Sequence, residues 1–96
     1  MLAAFGVLQI TAGIDKGRGT IIQPVRIITR GWFDGEHDRD LLETVTSNVR
    51  ETIETALSEG DRDEASLNKV AQRAAGRLLG QKFRRQPVLM TAIVVL

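Results

Sequence analysis

The single histidine of the chain, His37, stands among the acids Asp34, Glu36, Asp38 and Asp40. Carboxylates grouped in this way can hold a hard cation weakly at a surface, because calcium and magnesium prefer oxygen ligands. A hydrolytic metal centre asks for more, namely several His, Asp or Glu side chains converging on one ion. An acidic loop leading into a helix N-terminus accounts for the same residues without an ion, so no metal ligand is assigned. The chain has no cysteine, which removes both thiolate ligands and disulfides and fits a reducing compartment. His37 has no evident partner for nucleophilic catalysis. Gly13, Gly17 and Gly19 fall in a hairpin rather than ahead of a helix, and match neither a P-loop nor a dinucleotide fingerprint. No catalytic residue is assigned.

The other chemistry on offer is electrostatic. Arg77, Lys82, Arg84 and Arg85 gather near the end of a helical stretch. They can neutralise a few phosphates in a salt-dependent way, and Trp32, next to Phe33, can offer a ring on which a base stacks. A structural account competes with this one. Cations at a helix C-terminus complement its dipole and can pair with acids of a neighbouring helix, and adjacent aromatics commonly plug the edge of a core. A small RNA-binding module using Arg77, Lys82, Arg84, Arg85 and Trp32 is therefore the second of two functional expectations.

Charge is unevenly placed along the chain. From Asp34 to Glu64 there are eleven acids against Arg39, Arg50 and Arg62, a balance of −8, while the remainder carries ten bases against Asp15, a balance of +9. The net charge of +1 excludes a generic nucleic-acid binder. Two oppositely charged helices lying side by side, or a domain that shows its basic side to RNA or an acidic partner, would both produce this pattern.

The elements that position these residues follow from periodicity. Phe5 to Ile14 alternates, with Leu8, Ile10, Ala12 and Ile14 on one face and Val7, Gln9, Thr11 and Gly13 on the other. Asp15 to Gly19 is a turn, and Thr20 to Arg30 a second strand, giving an antiparallel hairpin. Pro24 removes a ladder donor and predicts an edge strand or a bulge. Asp40 and Glu43 resemble a capping box, and Leu41, Leu42, Val45, Val49, Ile53, Ala56 and Leu57 then recur at helical spacing up to Gly60. A second helix, capped by Asp63 or Ser66, carries Leu67, Val70, Ala71, Ala74, Ala75, Leu78, Leu79 and Phe83 on its apolar side. After Pro87 the chain closes on Val88 to Leu96, a segment without charge that has to join a sheet begun elsewhere.

The predicted architecture is α+β: a three-stranded sheet with two antiparallel helices packed on one face, in the order β-β-α-α-β, forming a single domain over residues 1–96. The last strand is expected to run parallel to the first and antiparallel to the second, with its neighbour in the sheet left open. The pairs Ile21-Ile22 and Ile27-Ile28 and the run Ile93-Val94-Val95 put apolar groups on both faces of the sheet. One face has no cover within this chain, and uncovered apolar faces mark protein interfaces. Ile22 and Ile28, with Val94 or Val95 according to strand phase, are the expected contacts. No run approaches the roughly 20 apolar residues of a membrane span, and the N-terminus lacks the basic start of a signal peptide, so no membrane partner is expected and the expected location is cytoplasmic.

Three stretches bring a family into view. Ile27-Ile28-Thr29-Arg30-Gly31-Trp32-Phe33 ends the hairpin in an Arg-Gly-aromatic step. An acidic helix and a basic helix follow, joined through Glu59-Gly60. Phe83-Arg84-Arg85-Gln86-Pro87-Val88-Leu89 is a basic-basic-x-Pro-apolar stretch before the last strand. In this order they resemble the C-terminal domain of the bacterial ribonuclease J family, among the β-CASP metallo-β-lactamase enzymes. Gln86 and Thr91 depart from the family's usual basic residue and proline. The resemblance implies a parent that is a zinc-dependent exo- and endoribonuclease of RNA processing and decay. Its metal-binding His and Asp motifs belong to a domain outside this chain, so no cofactor is expected here. The implied role of this domain is assembly: a homodimer, and docking on the catalytic domains of the parent, with RNA met through that parent. Met1 followed at once by strand sequence is expected at a domain boundary.

Overall fold

The computed structural model describes residues 6–30, 39–82 and 88–96, with Lys82 described as helix backbone. Two strands, β1 (Val7–Asp15) and β2 (Thr20–Arg30), precede helices α1 (Arg39–Ser58) and α2 (Glu64–Lys82), and strand β3 (Val88–Val95) follows. The α+β order is the expected one. The sheet runs β2-β1-β3, with β1 antiparallel to β2 and parallel to β3. The last strand thus takes its place beside the first, which settles the neighbour that the sequence left open. β1 is central because one of its faces is entirely apolar: Leu8, Ile10 and Ile14 are fully buried.

Both helices lie on that face. Val45, Val49, Ile53 and Leu57 of α1 and Leu67, Ala71, Ala75 and Leu79 of α2 close over Leu8, Ile10, Ala12 and Ile14 in one core, joined by Val25 and Ile93. α1 lies against β2 and α2 against β3. Small residues on α2 permit the approach: a Cβ at Gly76 would stand 3.5 Å from the Leu89 Cδ1 atom.

Pro24 produces both features expected of it, since β2 is an edge strand and is irregular there. Thr11 pairs with Arg26, Gly13 with Gln23 and Ile14 with Ile21, so β2 gains a residue on β1 at each step. Each bulge reverses the facing of β2. Two of them restore it, so that Ile21, Val25 and Ile27 all pack toward the helices. Between the bulges Gln23 stands on the far face, where its Cβ and Cγ lie 3.0 and 3.1 Å from the position a Cβ would take on Gly13. The glycine is what lets that side chain lie down across the sheet.

α1 begins at Arg39. This corrects the expected capping box: Asp40 sits inside the first turn, where its charge complements the dipole. Its carbonyl accepts a hydrogen bond from Thr44 Oγ1 at 2.9 Å. At the other end Gly60 (φ 98°) closes a Schellman motif, its N–H donating to Leu57 O at 3.0 Å and the Asp61 N–H to Ala56 O at 3.0 Å. Asp63 caps α2, accepting from the Ser66 N–H at 2.9 Å.

The Ser66 hydroxyl donates to Asp61 Oδ2 and the Asp63 N–H donates to Asp61 Oδ1. These two bonds, the hydroxyl first, hold the Asp61 carboxyl below its ordinary value, with Arg62 adding a smaller pull and partial desolvation opposing all three. A lowered folded-state value gives stability that is complete above the unfolded value of about 3.9 and is lost as pH falls through the folded value. Ser66→Ala is therefore expected to cost stability at neutral pH, and the difference in Tm between the variant and the parent chain should narrow below about pH 4. A gap that stays constant down to pH 2.5 would contradict this role for the hydroxyl.

Candidate functional site

The face of the sheet away from the helices carries two of the sequence-predicted contacts, Ile28 and Val94. Pairing places four rows across it in the order β2-β1-β3: Arg30–Val7–Val88, Ile28–Gln9–Met90, Arg26–Thr11–Ala92 and Gln23–Gly13–Val94. Past Val7 the central column is polar or small, with Gln9, Thr11 and Gly13. The β3 column is apolar, and the β2 column mixes Ile28 with two guanidinium groups. Ile22 and Met90 are each 50% exposed, Ile28 and Val94 47% and Val88 55%. With Leu96 these are the large apolar side chains the described structure leaves open; Ile28, Val88, Met90 and Val94 lie in the rows of this face, whereas Ile22 is exposed at the β2 bulge between Gln23 and Ile21. A shallow depression lined by Thr11, Gln23, Pro24, Arg26, Ala92 and Val94 runs along it.

The structure separates the last pair of expected contacts. Val94 lies on the open face, whereas Val95 packs against the core on the helix side, as strand alternation requires. Ile28 shares that face with Val94, whereas the expected Ile22 falls in the bulge of β2, outside the paired rows. Met90 and Val88 complete the patch; the sequence alone does not single them out because it leaves the phase of β3 open. A surface that covers this face has to be apolar over β3 and offer acceptors, or an aliphatic bed for the arginine stems, over β2.

Of the basic set, Arg77 projects from the exposed side of α2 and Lys82 is the last residue of that helix. Arg84, Arg85 and Trp32 lie outside the described residues, as do His37, Asp34, Glu36 and Asp38. Among the described residues the ion pair is Arg18 Nε with Asp15 Oδ2 at 3.9 Å, exposed on the hairpin turn. No described acid of α1 pairs with a base of α2. The opposite charges of the two helices are therefore directed to solvent, with Arg73 and Arg77 flanking a shallow groove beside Asn48 and Thr52 of α1.

One polar constellation has no counterpart among the sequence-based expectations. Asn68 of α2 donates from Nδ2 to the Ile93 carbonyl at 3.0 Å, and its Oδ1 accepts from the Ile93 N–H at 2.9 Å. One turn earlier, Glu64 Oε1 accepts from the Val95 N–H at 2.9 Å. The signal that could have found it is weak: a short amide one residue after the buried Leu67, on the side of the helix nearest a terminal strand.

The fold and its unequal faces define a small two-layer α+β domain, a mixed three-stranded sheet sealed by helices on one side. The chain belongs to the ribonuclease J C-terminal domain family, whose model matches it over residues 1–96. The resemblance drawn from the three sequence stretches thus holds along the full length. Among curated proteins it is 24% identical over 94 residues to ribonuclease J of Mycolicibacterium smegmatis, 28% over 89 residues to ribonuclease J of Corynebacterium glutamicum and 23% over 94 residues to ribonuclease J2 of Bacillus subtilis. These alignments cover 98%, 93% and 98% of the chain, but only 16%, 12% and 17% of the length of those relatives. No described helix is long and apolar enough to cross a membrane.

Proposed function

We propose that the chain is the non-catalytic C-terminal assembly domain of a ribonuclease J-like enzyme that processes and degrades RNA in the cytoplasm. The observation that carries this is the open sheet face, where Ile28, Val88, Met90 and Val94 are left half-exposed opposite a complete core. Its occupant in this account is a second copy. A twofold axis running along β1 would lay the β2 half of one copy over the β3 half of the other. Ile28 and the stems of Arg26 and Arg30 would then meet Val88, Met90 and Val94, with the guanidinium groups kept apart. The catalytic domains of the parent would dock on the same domain from outside this chain.

Catalysis and its zinc are assigned to those other domains. Among the described residues no three His, Cys, Asp or Glu are grouped so as to hold an ion, and no residue here is given a catalytic or metal-binding role. Family membership supports the enzyme context, and the coverage of the relatives supports a domain rather than a whole enzyme.

The test is to charge the face without touching the core. Ile28→Asp and Val94→Asp should each shift self-association to at least about tenfold higher concentration, because a buried unpaired carboxylate costs more than the roughly 1.4 kcal/mol that a factor of ten represents. Helix content by circular dichroism should be unchanged. Solution masses equal to those of the parent chain for both variants would count against this face.

A further inference from the structure

β3 is the edge strand of the sheet on its side, and its composition invites further pairing. Val88 to Val95 has no charge, no proline and five Val, Leu or Ile residues. Edge strands are ordinarily protected by charges, proline, bulges or a cover, and a short uncharged segment of high β propensity is otherwise a template for another chain. The first three devices are absent from β3, which pairs with β1 in an unbroken parallel register.

The fourth is supplied by α2. Val88 N–H and Leu96 N–H point inward, donating to Gly6 O and Ile14 O of the β1 side. Peptide groups alternate along a strand, so those of Leu89, Thr91, Ile93 and Val95 point outward. The Asn68 amide meets the outward Ile93 groups with one donor and one acceptor, as a residue of a neighbouring strand would. Glu64 takes the next outward N–H, that of Val95. Among the described residues Leu89 and Thr91 receive no such partner.

We propose that Asn68, with Glu64, is a strand surrogate that closes the C-terminal half of the β3 edge against a second copy of this chain and so confines association to the sheet face. Asn68 suits this task because its side chain offers both a donor and an acceptor in one plane. Its Nδ2 is also held by the Glu64 carbonyl at 2.8 Å, which fixes the amide toward the strand. With the amide removed, the outward groups of Ile93 join those of Leu89 and Thr91. Two β3 strands can then pair about a twofold axis into one continuous sheet.

The test compares Asn68→Ala with the parent chain by amide hydrogen exchange and sedimentation. In the variant the Ile93 amide should exchange about tenfold faster at low concentration, the effect of losing one hydrogen bond. At high concentration new species heavier than the parent chain's should form. Combining Asn68→Ala with Ile28→Asp separates this from association through the face: edge pairing persists in the double variant, whereas face pairing is lost. Should Asn68→Ala lower helix content, Asn68→Asp serves instead, keeping the acceptor for the Ile93 N–H and losing the donor. Unchanged Ile93 exchange in a folded Asn68→Ala, or a mass distribution equal to the parent's in whichever variant is folded, would overturn the proposal. So would new species that vanish with Ile28→Asp.

Discussion

Replacing Ile10 with Ala should lower the free energy of unfolding by about 3–4 kcal/mol, within the range for a large aliphatic side chain removed from a sealed core. Ile10 is fully buried in the central strand, with Ile27 opposite it on β2 and Thr91 on β3. Above it α1 and α2 contribute Ile53, Val49, Ala71 and Ala75 to the same core. Both layers and both neighbouring strands surround this site, so it has little room to collapse. For a domain whose total stability is on the order of 5–15 kcal/mol, the loss should appear as a fall in Tm of more than about 10 °C. Ile27→Ala is the comparison: its side chain is only partly buried against the core, and its removal should cost about half as much. Equal costs at the two positions would mean that the sheet is not covered from the α1–α2 side as described.

The second large effect is expected at the hairpin turn. Gly19 has φ 66°, a conformation that costs an L-residue about 1–2 kcal/mol. It also lies under Arg62, whose guanidinium an added Cβ would meet. Arg62 is anchored at the end of α1, its Nη1 donating to Leu57 O and Asp61 O. Gly19→Ala thus strains the turn and displaces the side chain that ties it to the helix, for an expected loss of about 2–3 kcal/mol. In an Arg62→Ala background the same substitution should cost only the backbone part, about 1–2 kcal/mol. Identical losses in the two backgrounds would show that Arg62 does not couple the turn to α1.

The elements were legible because each carries its own period. The alternation of Leu8, Ile10, Ala12 and Ile14 and the helical spacing of Val45, Val49, Ile53 and Leu57 report burial within a few residues of one another. The partner of β3 was not legible, since a parallel pairing between Val7–Asp15 and Val88–Val95 leaves no local mark on either strand. For the same reason the choice between Val94 and Val95 waited for the register. The Asn68–Ile93 bridge spans 25 residues and rests on one amide, and no pattern announces it. Among the described residues no acid of α1 pairs with a base of α2, because charge balance sets signs, not directions. The family was legible from three short stretches because their order along the chain is more specific than any one of them.

Everything functional in this account rests on the sheet face being a surface that a second copy covers. Sedimentation equilibrium of the unaltered chain across a wide concentration range tests that most directly. A reversible, concentration-dependent passage from monomer to dimer is the predicted result. A monomer mass at every concentration would contradict it, and would hand the open face to the parent's other domains.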